Sequence, residues 1–153
     1  METSGFFESP ASTRYHNAFK GGLMQHSWNV MKTWEIKCMN LNLIVDPETI
    51  IIGGLLHDLS KVGKYKYDKE TKSYTFNNIN PLWHPYYSVI IIQRYFQLSD
   101  QEAICIAFHE GAYGLSGNQI KDWNNVKEKY PEALLLHHAD MENAFIIEKR
   151  GIN

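Results

Sequence analysis

The sequence predicts an all-α helical bundle that carries one small β-hairpin just after the dipeptide His57-Asp58. Three observations predict it. Helix-start signals punctuate the chain at Asp46-Pro47-Glu48 and Ser99-Asp100-Gln101-Glu102. Apolar residues recur near helical spacing, as at Leu23, Val30, Met31 and Trp34. Alternation of polar with aromatic residues is confined to Lys64–Phe76.

In chain order, Gly21 to Met39 forms a first helix with His26 in its first half. Asp46 caps the second helix, with Pro47 at the first helical position and Glu48 in the first turn. That helix runs through Ile50 to Leu56 and delivers His57-Asp58 at its C-terminal end. Lys-Tyr-Lys-Tyr and Ser-Tyr-Thr-Phe then flank Asp68 to Lys72 as a hairpin. Pro81 and Pro85 punctuate a loop carrying His84, and helix resumes over Tyr86 to Leu98. Ser99 and Glu102 make a capping box whose helix ends near His109. The Gly111, Gly114 and Gly117 segment is loop. A polar helix spans Asn118 to Tyr130, and Pro131 starts the last one, Glu132 to about Lys149, which carries His137, His138 and Asp140.

The 153 residues suit one domain with a core at about 6–145 and no repeats. Hydrophobic content of 44% and charged content of 21% describe a soluble globular chain. A net charge of −2 lacks the basic footprint of a long nucleic-acid binder. A small anion remains compatible if metals supply local positive charge. Cys38 and Cys105, outside any CxxC pattern, read as reduced, partly buried thiols. Met1–Thr13 lacks the charged and apolar regions of a signal peptide, and no apolar run is long enough to span a bilayer. The expected setting is cytoplasmic, without a membrane partner; the oligomeric state is not specified.

The chemistry lies in six residues: His26, His57, Asp58, His84, His109 and Asp140. Imidazole and carboxylate suit divalent first-row metals, and an aspartate can bridge two of them. With His26, His57, Asp58 and Asp140 on one ion, a bridging Asp58 with His84 and His109 serves the other. Neither shell is then saturated. Two ions about 3.5–4 Å apart activate a water and clamp phosphoryl oxygens in an in-line displacement. Lys61 lies three residues past Asp58, placed to meet a phosphate oxygen.

The order His26…His57-Asp58…Asp140, with His57-Asp58-Leu59-Ser60-Lys61 matching a His-Asp-x-x-Lys segment, resembles the HD superfamily of metal-dependent phosphohydrolases. With His84 and His109 added, it is similar to the dinuclear branch that includes HD-GYP-type cyclic-dinucleotide phosphodiesterases. The stretches 6–16 and 21–26, His84-Pro85…Ser88 and Leu136-His137-His138-Ala139-Asp140 resemble the HD domain of YhaM-type exoribonucleases and small stand-alone bacterial and phage HD hydrolases. The likeness covers about residues 6–145 and implies an HD-domain bundle. Two departures stand out. The cyclic-dinucleotide branch has His-His where this chain has His109-Glu110, so one of its ligands is lost and a third metal is disfavoured. Its Gly-Tyr-Pro signature is absent.

The resemblance implies an HD-type phosphodiesterase acting on a nucleotide, cyclic nucleotide or short oligonucleotide. Two divalent ions are implied, Mn²⁺ or Fe²⁺ by preference, with Mg²⁺, Co²⁺, Ni²⁺ or Zn²⁺ as alternatives. Asp58 and Lys61 are the expected catalytic residues, and Lys61, Arg14 and His16 the expected substrate contacts. His137 reads as a support for the ligands and His138 as structural. Glu110 stays open between surface acid, general base and anchor for a ligand histidine. Trp83, Tyr86 and Tyr113 are weak candidates for base stacking. Two other readings stand beside the hydrolase: an HD-type di-iron oxygenase, disfavoured by Lys61, and a nucleotide-sensing module without turnover.

Overall fold

The computed structural model describes residues 5–77 and 82–150. Pro81 and Met1–Ser4 therefore lie outside the described residues. Six α-helices and one antiparallel hairpin occur among those described. They are α1 (Gly22–Asn40), α2 (Pro47–Leu56), β1 (Tyr65–Asp68), β2 (Ser73–Phe76), α3 (His84–Ile92), α4 (Asp100–Ala107), α5 (Asn118–Lys129) and α6 (Pro131–Glu142). A 3-10 turn, Leu59–Lys61, follows α2. A π-helical turn, Asn143–Ile147, follows α6 and leads into a 3-10 turn, Glu148–Arg150.

The central helix is α1. Leu23, His26, Ser27, Val30, Met31, Trp34 and Cys38 are buried at steps of three and four, the stripe expected of a helix contacted along its length. It packs against α2 and α6. Val30, Met31, Trp34 and Cys38 meet Ile50 of α2, Cys105 of α4, Trp123 and Val126 of α5, and Leu136 and Ala139 of α6. The buried Trp34 indole donates to the Glu132 carbonyl at 3.0 Å, so its N–H is not stranded in the core. A smaller cluster, Leu56, Ile92, Leu98 and Ile106, ties α2, α3 and α4 together.

Local signals place the helix starts as expected. Asp46 accepts the Glu48 N–H at 2.8 Å. Ser99 Oγ accepts the Glu102 N–H at 3.2 Å while the Glu102 carboxylate accepts the Ser99 N–H at 2.7 Å, a complete capping box. The hairpin pairs Tyr65 with Phe76 and Tyr67 with Tyr74. Cys38 and Cys105 are free and buried. No helix among the described residues is long and apolar enough to cross a membrane.

Two helices, α3 and α6, differ from expectation at their ends. Helix α3 begins at His84, so this histidine is not in a loop, and it ends at Ile92 rather than Leu98. The N–H groups of Arg94 and Tyr95 tighten onto the carbonyls of Ile91 and Ile92 at 3.2 and 2.9 Å, closing the helix with three-residue steps. The chain then turns Leu98 into the smaller cluster. Regular α geometry in α6 stops at Glu142, short of Lys149. The buried Asn143 amide donates to the Ala139 carbonyl at 2.8 Å and to Thr33 Oγ1 at 3.0 Å. Such a side chain competes with the backbone ladder, and the turn widens there.

Gly54 lets α2 approach α1: a Cβ there would lie 2.5 Å from the Met31 Cβ and 2.6 Å from its Cα. Gly54→Ala is expected to destabilise by about 1–3 kcal/mol through overpacking, more than the roughly 1 kcal/mol that alanine gains over glycine in a helix. A melting temperature lowered by several degrees is the expected result; an unchanged or raised one would show that α1 yields.

Candidate metal centre

Five elements deliver the six residues to one place. His26 comes from the second turn of α1 and Asp140 from the last turn of α6. His57 caps the C-terminus of α2, and Asp58 leads into the 3-10 turn. His84 opens α3, and His109 lies just beyond α4. His26, His57, Asp58 and His109 are all 0% exposed. Burying this many polar groups is costly unless partners satisfy them.

The ring nitrogens that face away from the centre are satisfied. His57 Nδ1 donates to the Gly54 carbonyl at 2.9 Å and His109 Nδ1 to the Ile106 carbonyl at 2.8 Å. Each uses a carbonyl left free at a helix C-terminus. A carbonyl only accepts, so Nδ1 carries a proton and Nε2 is the ring atom that faces the centre. His26 Nδ1 faces both oxygens of Glu148 at 3.1 and 3.0 Å. His84 is positioned through the backbone: Ser60 Oγ donates to the His84 carbonyl at 2.8 Å, and the Ser60 N–H donates to Ser88 Oγ at 3.1 Å.

The inward atoms converge on Asp58. Its Oδ2 lies 3.8 Å from His26 Nε2 and 3.5 Å from His57 Nε2. Its Oδ1 lies 3.4 Å from His84 Nε2 and 3.5 Å from His109 Nε2. Asp140 Oδ1 is 3.0 Å from His26 Nε2. These are ion-pair separations. Asp58 Oδ1 and the Nε2 atoms of His26, His57, His84 and His109 are buried without a hydrogen-bond partner among the described residues, while Asp58 Oδ2 faces the Lys61 ammonium. Two sets of imidazole and carboxylate donors, shared through one aspartate, fit divalent first-row ions.

Charge is balanced locally. Burial pushes the Asp58 carboxyl up, but Lys61 and His57 outweigh it and hold it well below the ordinary range. Lys61 Nζ is 2.6 Å from Asp58 Oδ2, with 12% of its side chain exposed. Burial lowers the pKa of this lysine, and Asp58 more than restores it, so the ammonium is retained. His26 loses affinity for its proton through burial, yet Asp140 and Glu148 raise its pKa to about 9. The His16 ring lies tilted against His26 with ring centroids 4.8 Å apart. Burial, His26 and Lys61 push His16 down to about 4, and its Nε2 is buried without a hydrogen-bond partner.

The six expected ligands, Lys61 and His16 are thus brought together, whereas the exposed Arg14 guanidinium engages the Tyr15 hydroxyl at 3.1 Å. His137 supports the site from behind, donating from Nδ1 to the His109 carbonyl at 2.8 Å, while His138 is exposed. Trp83 meets Tyr86 edge-on, and Tyr113 is exposed. Glu148, Ser60 and Ser88 were not legible as supports. Glu148 reaches His26 only after the π-helical turn changes the helix register, which helical spacing does not reveal. A groove of about 840 Å³ is bordered by Ser9, Phe19 and Lys20 of the N-terminal arm, Val62 and Gly63 after the 3-10 turn, and Tyr65, Tyr67 and Tyr74 of the hairpin; none of the six expected ligands lines it.

The family profile described as HD domain matches residues 23–143. The chain is also similar to the dihydroneopterin 2′,3′-cyclic phosphate phosphodiesterase of Methanocaldococcus jannaschii, with 28% identity over 141 residues, covering 87% of this chain and 50% of that protein. It therefore spans about half the length of this relative. No solved structure matches.

The raised His26 pKa has a consequence for the metal-free protein. A group whose folded pKa exceeds its unfolded value stabilises fully below the unfolded pKa, about 6.5, and loses that contribution as pH rises through the folded value, about 9. The melting temperature of chelator-treated protein is expected to fall between these limits. His26→Gln should flatten that slope; an equal slope in both proteins would assign it to other groups.

Proposed function

The chain belongs to the HD-domain family, and from that premise we propose that it is a metal-dependent phosphohydrolase that opens a phosphodiester of a nucleotide, cyclic nucleotide or short oligonucleotide. One observation carries the reading: the two oxygens of buried Asp58 face different imidazole pairs, His26 with His57 and His84 with His109. An aspartate so placed suits a bridge between two ions. His26, His57, Asp58 and Asp140 would hold one, and Asp58, His84 and His109 the other. Such ions supply Lewis acidity toward phosphoryl oxygens and an activated water.

The chain's own groups do the rest. Lys61, held as an ammonium by Asp58, has further N–H groups to donate to a non-bridging phosphate oxygen as charge builds. The Nδ1 hydrogen bonds of His57 and His109 keep their rings from turning when substrate enters. His16, neutral at pH 7, offers an acceptor at the edge of the site. The groove between Phe19, Tyr65, Tyr67 and Tyr74 suits a flat heteroaromatic group attached to the phosphate. The relative is named for a 2′,3′-cyclic phosphate, which supports a small cyclic ester as the first substrate to test.

The deciding assay uses bis-p-nitrophenyl phosphate, 2′,3′-cyclic nucleotides and short oligonucleotides with Mn²⁺. Cleavage is expected to depend on metal and to vanish in a His57→Ala/Asp58→Ala double variant. Lys61→Met should lower kcat roughly a hundredfold, the scale of one transition-state donor, without reducing metal content. If metal-loaded protein leaves every ester intact but consumes oxygen with a substrate, the oxygenase reading replaces this one.

Groove occupancy has its own signature. Tyr67, 49% exposed, is expected on replacement by alanine to raise KM for a nucleotide ester roughly tenfold, about one stacking contact, with kcat little changed. An unaltered KM would place the base elsewhere.

A further inference from the structure

Glu110 stands outside the six-donor set, yet its Oε1 lies 3.3 Å from His84 Nε2, and its side chain is only 21% exposed. We propose that Glu110 is a metal ligand, which with His84, His109 and Asp58 Oδ1 completes the second metal position. The inference rests on the two-metal reading above and extends it to a residue that this reading leaves unassigned.

A conflict arises at one nitrogen. His84 Nε2 faces Asp58 Oδ1 at 3.4 Å and Glu110 Oε1 at 3.3 Å. If that nitrogen ligates an ion it carries no proton, so it cannot donate to either oxygen. Its lone pair and these two anionic oxygens would then repel one another unless that ion lay among all three. A cation bonded to all three removes the repulsion. No lysine or arginine forms an ion pair with Glu110 among the described residues.

The spacing fits a shared ion. Donors about 2.1 Å from one ion are separated by about 3.0 Å along an octahedral edge and about 3.4 Å along a tetrahedral one. The measured separations around Asp58 Oδ1, His84 and His109 are 3.4 and 3.5 Å, and Glu110 adds 3.3 Å. The donor atoms of His84, His109 and Glu110 all lie within 4.8 Å of one another.

His109, Glu110 and Gly111 are held as a unit. His137 fastens the His109 carbonyl at 2.8 Å, and a Cβ on Gly111, at φ +62°, would lie 2.7 Å from the His137 ring. A carboxylate between such neighbours is aimed rather than free. With Glu110 included, both metal positions have two imidazoles and two carboxylates and share Asp58.

The test reads metal rather than turnover. Metal-stripped wild type, E110Q and E110H are titrated with Mn²⁺, following stoichiometry by calorimetry and elemental analysis and ion coupling by electron paramagnetic resonance. Wild type is expected to bind two ions with an exchange-coupled signal. E110Q should keep one ion, bind the second at least about tenfold more weakly, and show the signal of an isolated ion. E110H, which restores a donor at that place, should recover the pair. If E110Q binds two ions with wild-type affinity and an intact coupled signal, Glu110 is only a neighbour of His84 and the inference falls while the two-metal reading stands. If wild type binds fewer than two ions, that reading and the inference fall together.

Discussion

The arrangement depends on one buried carboxylate. Asp58 has no exposure, and its two oxygens are turned to opposite sides of the centre. Isolated burial would drive a carboxyl to its neutral form. Lys61 at 2.6 Å keeps it charged, and the surrounding imidazoles add to the effect. The position of Asp58 also decides which elements must meet. A residue between the end of α2 and a single 3-10 turn can face α1, α3 and the segment after α4 at once. A residue within a regular helix presents one face only.

The rest of the scaffold turns lone pairs toward that carboxylate. Helix C-termini supply carbonyls that fix the proton on Nδ1 of His57 and His109. Ser60 reaches across to the His84 carbonyl, so the 3-10 turn carrying Asp58 and Lys61 is tied to the start of α3. The widened turn after α6 brings Glu148 against His26 on the side opposite Asp140. None of these supports touches the centre itself. Each removes a rotation that would let an imidazole find another partner, and such freedom is what loosens a metal site.

Much of this was legible in the sequence, and the exceptions share a cause. Asp46-Pro47 and the Ser99–Glu102 box announce helix starts because capping is local chemistry. His57-Asp58 and its spaced partners stood out because few residue types offer metal-donor atoms, and the fold brings them to one place. The end of α3 was not, because burial of Leu98 in a cluster with Leu56 and Ile106 overrides helical spacing. The break in α6 was not, because the Asn143 amide needs Thr33, far away in sequence, to hold its geometry. Glu148 followed from that break. Arg14, an expected substrate contact, engages its neighbour Tyr15, a pairing that spacing does not reveal.

The same centre that serves chemistry is a burden on folding. Asp58, Asp140 and Glu110 crowd carboxylates around four imidazoles, and Lys61 is the lysine paired with this cluster. Without metal, the site must hold protons where ligands need lone pairs: His26 keeps one between Asp140 and Glu148. An ion held by these residues would have to displace such protons, which would make its binding depend on pH. The hydrophobic clusters lie on those same helices. Stability and site geometry are thus set by one packing arrangement, and a substitution that loosens α1 against α2 acts on both.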